Sequence, residues 1–197
     1  MGFGVREFEL ALLHRMRDLN AGRVEDALAK LGASRAELRA AHAHWTRILH
    51  ASRGRAGLWR VLGRPVHRGV TAIGSLTCDI ARWELPSWPG LQFEVLYGPG
   101  REVWNQWFVR PGGAARLDFA DLAPWGCVVG DVAASFPGAA QCEGMAPHHW
   151  AVDFRHGGTG YRARFVYGLY QRLDRLDRFD GLRGDPADGG GPAGPPQ

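Results

Sequence analysis

The stretch "LQFEVLYGPGREVWNQWFVR", residues 91–110, decides how the chain is read. Leu91, Phe93, Val95 and Tyr97 alternate with Gln92 and Glu94. Gly98-Pro99-Gly100 then interrupts the run. Beyond it Trp104, Gln106 and Phe108 alternate with Val103, Asn105, Trp107 and Val109. Period-two alternation on both sides of a Gly-Pro-Gly segment predicts an antiparallel hairpin. On a helix the indoles of Trp104 and Trp107 would share one side, whereas on a strand they face opposite ways. Both rows of the second strand are apolar, and each carries one amide. The strand is therefore expected to be covered on both sides, with the row Trp104, Gln106 and Phe108 lining a pocket.

The same period recurs towards the carboxy terminus. "HHWAVDFRH" (148–156) sets Trp150, Val152 and Phe154 against Ala151, Asp153 and Arg155, and "GYRARFVYGL" (160–169) sets Tyr161, Ala163 and Phe165 against Arg162 and Arg164. "GVTAIGSLTCDI" (69–80), "AARLDF" (114–119) and "CVVGDVAASF" (127–136) are further strand candidates. No helix-length pattern separates these runs. The expectation is a strongly curved antiparallel sheet or barrel of about six or seven strands rather than βαβ units. "RLDRLDRFD" (172–180) spaces Leu173, Leu176 and Phe179 by three and reads as a short closing helix.

Towards the amino terminus the period lengthens. Val5, Phe8, Leu12, Met16 and Leu19 form one helical stripe, and Val24, Ala27, Leu28 and Leu31 a second. Ser34 and Glu37 stand in capping-box spacing before a third, made of Leu38, Ala41, Trp45 and Ile48. The predicted fold is thus α+β. Residues 1–60 form a helical segment, residues 61–183 a β-rich domain with its closing helix, and residues 184–197, rich in Gly and Pro, a disordered tail.

Composition narrows the function classes. The chain has 197 residues, 45% of them hydrophobic and 22% charged, as in a folded protein. No signal-like segment or long apolar run is present, so a cytoplasmic location without a membrane span is expected. The three cysteines, Cys78, Cys127 and Cys142, are odd in number and without a CxxC pair. They are expected to be reduced thiols and not a zinc site. The net charge of +4 is concentrated in residues 1–68, where 13 basic residues face 6 acidic ones. Arg35, Arg39 and His42 would share one face of a helix that follows a tight Gly turn, which makes a helix-turn-helix contact to DNA one alternative reading. His42 and His44, two apart on that helix, point in opposed directions and cannot ligate one ion. His148 and His156 would share the strand face of Trp150. No phosphate-binding loop, GxSxG, HExxH or paired-carboxylate signature occurs, so no cofactor and no metal is assigned.

Two resemblances attach to particular residues. The segment from Val70 to Phe108, with Gly74 after a strand, then Leu85-Pro86 and the Trp104-to-Phe108 pair, resembles a bacterial β-rich domain family of unknown function, often fused to dehydrogenase-like domains. Gln106 stands where that family carries Arg. "RPVHRG", with Pro65, His67 and Arg68, and "DFADLAPWG", with Asp121 ahead of Ala123-Pro124-Trp125-Gly126, resemble motifs of toxin-activating lysine acyltransferases. That resemblance implies His67 as a general base with Asp121 as its carboxylate, although Asp121 is one position out of register. The reading preferred from sequence is non-catalytic: binding of an apolar or amphipathic small molecule, such as a lipid, in a barrel-like cavity lined by Trp104, Gln106, Phe108, His148 and Trp150. The acyltransferase and the DNA-binding regulator are its alternatives.

Overall fold

A computed structural model describes residues 2–51, 55–143 and 148–177. The expected helices appear as α1 (Val5–Met16), α2 (Ala21–Lys30) and α3 (Arg35–Ala51), and a further helix, α4 (Arg55–Leu62), follows. The capping box before α3 forms as its spacing predicts: the Glu37 N–H donates to the Ser34 hydroxyl at 3.2 Å, and the Ser34 N–H donates to the Glu37 carboxylate at 2.8 Å. Phe8, Leu12 and Met16 of α1 bury one stripe beside Leu38 and Trp45 of α3.

The strands do not close into a barrel. Among the described residues they form two separate antiparallel sheets of four strands each, eight in all, where one curved sheet or barrel of about six or seven was expected. The first has the order β1 (His67–Ile73), β2 (Leu76–Glu84), β3 (Gln92–Tyr97), β4 (Val103–Val109). The second has the order β5 (Ala140–Glu143), β6 (His149–His156), β7 (Thr159–Val166), β8 (Leu169–Leu176). Each is a meander of neighbouring hairpins, so an α+β architecture follows from local pairing alone.

Four segments depart from expectation, and each has a local cause. "GVTAIGSLTCDI" is not one strand, because Gly74 takes φ +59 and turns the chain from β1 into β2. "AARLDF" leaves the sheets altogether and ends in a 3-10 turn, Phe119–Asp121. "CVVGDVAASF" holds a helix, α5 (Val129–Ser135), and its buried residues Val128, Val132 and Phe136 recur every fourth position. No closing helix forms among the described residues of that segment: Leu169–Leu176 is strand β8. There the two-residue turn Tyr167-Gly168, both with positive φ, returns the chain directly alongside β7, so the backbone groups of β8 that face β7 meet their partners at once. Opposite charges then alternate across three strands, with Asp153 of β6 against Arg162 of β7 and Arg162 against Asp174 of β8. Phe179 and the tail expected over 184–197 lie outside the described residues.

Two apolar cores result. The larger lies between the helices and the first sheet, where Phe8, Trp45, Trp83, Phe93 and Phe108 pack together. The smaller lies between α5, its preceding loop and the second sheet, around Val132, Phe136, Val152, Phe154 and Phe165. The Tyr167-Gly168 turn ties the two sheets at their junction. The Phe108 N–H donates to the Tyr167 carbonyl at 2.7 Å, and the Val129 N–H donates to the Gly168 carbonyl at 3.0 Å. Among the described residues, no helix is long and apolar enough to cross a membrane.

Candidate functional site

The two faces of the first sheet have different partners. Ala81, Trp83, Phe93, Val95, Gln106 and Phe108 share the face that meets the helices, by register and by membership of the larger core. Arg82, Glu94, Asn105, Trp107 and Val109 share the other. A cleft of about 490 Å³ opens on this second face, against β5, β6 and the start of α5. Trp107 stands on one wall and Trp150 on the other, with the amides of Asn105 and Gln141, the guanidinium groups of Arg82 and Arg110, and the backbone of the Val128–Gly130 segment between them.

The charges in the cleft are held by buried carboxylates. Arg82 donates through Nε to Glu94 at 2.6 Å, a cross-strand pair with Glu94 almost fully buried. Arg110, at the end of β4, donates to Asp131 through Nε at 3.1 Å and through Nη2 at 2.9 Å, and also to the Gly126 carbonyl at 3.1 Å. Asp131 is fully buried and takes two further bonds, from the Ala115 N–H at 2.7 Å and the Val128 N–H at 3.1 Å. Its hydrogen bonds raise the Arg110 pKa above its usual value, so this cation keeps its charge. Asp131 thereby joins β4, the long loop and α5, and it shapes the cleft floor. Burial pushes the neighbouring Cys127 thiol up to about 12, with the Asp131 charge adding to the effect, so this group stays protonated at neutral pH and is no nucleophile. Cys78 and Cys127 are buried and Cys142 half-buried, all three unbridged.

Of the five residues expected to form the pocket, two, Phe108 and Trp150, come together at the cleft, and Trp104, Gln106 and His148 do not. Trp150 lines the cleft, and so does Phe108, whose ring is in the core 4.9 Å from that of Trp88. Gln106 is buried on the helix side, and no described residue bonds its Oε1. Trp104 is exposed; its indole N–H donates to Glu102 at 2.7 Å, and the ring lies so close over Gly98 that a Cβ there would sit 2.2 Å from Nε1. His148 precedes β6 with φ +64 and stacks on Tyr167 at 4.5 Å. His156 stacks instead on Phe119 at 4.3 Å. The open row of β4 is therefore Asn105, Trp107 and Val109, opposite to the row preferred from sequence, because the helices cover the Gln106 side. The remaining lining, Gln141 and the start of α5, carries no motif. Only the proximity of the second sheet marks it.

The acyltransferase-like residues lie apart in the fold. His67 is exposed on strand β1, while Asp121 closes the 3-10 turn, where its carboxylate accepts the Asp118 N–H at 3.0 Å. No hydrogen bond or ion pair joins them among the described residues. Of the basic helical face, Arg35 is paired with Glu25 at 2.9 Å and Arg39 is exposed. No group of three or more His, Cys, Asp or Glu side chains is placed to hold a metal ion among the described residues.

A second cluster of titratable groups packs where α1 and α3 meet the second sheet. The His14 and His42 rings stack at 4.2 Å and nearly parallel, which turns their in-plane lone pairs away from any common ion. His44 stacks separately on Phe3. Arg15, His148, His149 and Asp18 face the same junction. Desolvation, with Arg15 and the neighbouring histidines adding to it, brings the pKa of His42 and of His148 down to about 4. Both are neutral in the fold at pH 7 and take up protons more readily when it opens. Their contribution is therefore complete above about pH 6.5 and is lost as the pH falls towards 4. Melting temperatures between pH 7 and 4 are expected to fall by an amount equivalent to about 2 kcal/mol from these two groups, allowing for solvent screening. His42→Gln with His148→Asn should flatten that slope, and an unchanged slope would exclude them as its source.

No protein-family model matches the chain, and no curated protein matches it in sequence. A solved structure from Streptococcus mutans, named for a candidate beta-lactamase inhibitor protein, is similar over 63% of this chain and 82% of that one, at 12% identity and a TM-score of 0.28. That degree of likeness assigns neither fold nor function.

Proposed function

We propose that the protein is a non-catalytic binding protein that takes up an amphipathic small molecule in the cleft between its two sheets. The observation that carries this reading is the cleft itself. At about 490 Å³ it falls within the range of small-molecule sites, and it sets two indoles opposite a few polar groups whose positions are locked by buried partners. Trp107 and Trp150 offer apolar faces to a hydrocarbon or a ring. The Arg82 Nη groups, the free Nη1 of Arg110 and the amides of Asn105 and Gln141 offer hydrogen bonds to a polar head. Because Glu94 and Asp131 already compensate both cations, the head need not be an anion.

The test uses 1-anilinonaphthalene-8-sulfonate as an amphipathic probe, followed by its own emission and by quenching of tryptophan. Saturable one-site binding is expected, weakened about tenfold in Trp150→Ala, the loss of one aromatic contact. Trp104→Ala, outside the cleft, should bind as the wild type does. Absence of saturable binding, or equal effects of the two substitutions, would overturn the reading.

A further inference from the structure

Among the described residues the large hydrophobic side chains left in water are Val66, Val70, Ile73, Leu76 and Trp104, at 57, 67, 48, 45 and 42% exposure. Trp104 is accounted for by its bond to Glu102 and its contact with Gly98. The other four lie along the first hairpin: Val66 just before β1, Val70 and Ile73 within it on opposite faces, and Leu76 at the start of β2, paired with Ile73. Among the described residues β1, the open edge of the first sheet, pairs only with β2, and the opposite edge, β4, receives the β7–β8 turn through Phe108. Open edges are ordinarily blunted by lysine, proline or an inward charge. Within His67–Ile73 there is no lysine, no proline and no acidic residue, and the one arginine, Arg68, lies over Trp59.

We propose that this edge pairs with the same edge of a second copy, antiparallel and two-fold symmetric about Val70, to make one continuous sheet of eight strands. The register follows from the sequence of β1. Val70 faces Val70 of the second copy, Arg68 faces Ala72, and His67 faces Ile73, so no like charges stand opposite one another. The two Arg68 residues, four positions apart along paired strands, come to lie roughly 14 Å from each other, beyond the screening length of about 8 Å in physiological salt. Each Arg68 guanidinium is also drawn back over the ring of its own Trp59, at 5.3 Å, which leaves the small Ala72 of the second copy unobstructed. Self-pairing places apolar residues at the axis and sends the only cations to the two ends. Such a patch is its own complement, which a two-fold interface requires.

Sedimentation equilibrium of the full chain is expected to give twice the monomer mass of 21.6 kDa. Val70→Lys should return the monomer with an unaltered near-ultraviolet circular dichroism spectrum; should that variant misfold, Ile73→Glu, also at an exposed position, is the second probe. Directly opposed residues of antiparallel strands have Cα atoms about 4.5–5.5 Å apart, within disulfide reach, so Val70→Cys in a Cys142→Ser background should cross-link on mild oxidation. A wild-type monomer at every concentration up to about 1 mM, whether or not it binds an extended peptide, overturns the proposal. So does a dimer that tolerates both Val70→Lys and Ile73→Glu, or a folded dimer in which Val70→Cys does not cross-link.

Discussion

Asp131→Ala is expected to lower the unfolding free energy by about 3 kcal/mol or more, the range seen when one member of a buried ion pair is removed. Asp131 is fully buried and takes bonds from Arg110, Ala115 and Val128. Its loss strands the partly covered Arg110 guanidinium against an apolar floor, leaves two backbone N–H groups without an acceptor, and uncaps α5. Asp131→Asn keeps the shape and one acceptor but loses the charge, so a smaller cost, about 2 kcal/mol, is expected. Urea titration measures both. The comparison with Arg110→Ala and the double variant isolates the pair, whose coupling should be clearly non-additive. A loss under about 1 kcal/mol in Asp131→Ala would mean that water replaces these bonds and that Asp131 does not organise the cleft.

Gly168→Val should be of similar size, about 3 kcal/mol or more, for a different reason. Gly168 sits in the turn between β7 and β8 with φ +70, a region that costs a side-chain-bearing residue about 1–2 kcal/mol. A Cβ there would also stand 3.0 Å from the Cβ of Trp107 and 3.2 Å from the carbonyl oxygen of Phe108. The second contact is backbone of β4, hydrogen-bonded within the first sheet, and cannot turn aside, so the turn must withdraw from that sheet. That movement breaks the Phe108-to-Tyr167 bond and widens the cleft, which Gly168 lines. Gly158→Ala provides the control: its φ is +78, but a Cβ would meet nothing within 4 Å, so only the conformational cost of about 1 kcal/mol is expected. If the two substitutions cost the same, the close approach of turn and strand contributes nothing.

Both effects arise at the junction of the sheets, and this is where sequence and structure part. The hairpin of residues 92–109 is legible because alternation and a Gly-Pro-Gly turn are local properties, and the strand at Trp104–Phe108 follows from them. The first three helices are legible for the same reason, down to the Ser34 and Glu37 cap. "CVVGDVAASF" also carried a legible signal, since Val128, Val132 and Phe136 repeat every four residues, but its β-branched content masks it. "RLDRLDRFD" carried none that could decide. Leucines three apart suit a helix stripe, and strand β8 forms only because the Tyr167-Gly168 turn lays it beside Arg162 and Arg164.

By itself, then, the sequence determined the helical start, the antiparallel strands after it, and the placing of Trp104 and Trp107 on opposite faces of β4. Period and turn chemistry act over neighbouring residues, and nothing distant is needed to read them. Only the tertiary structure decided that the strands divide into two sheets, that helices claim the Gln106 and Phe108 side, and that Trp107 opens towards Trp150. A strand apolar on both rows does not say which row is buried against which neighbour. That choice depends on contacts between residues more than forty positions apart, such as Phe108 with Tyr167, which no local pattern records.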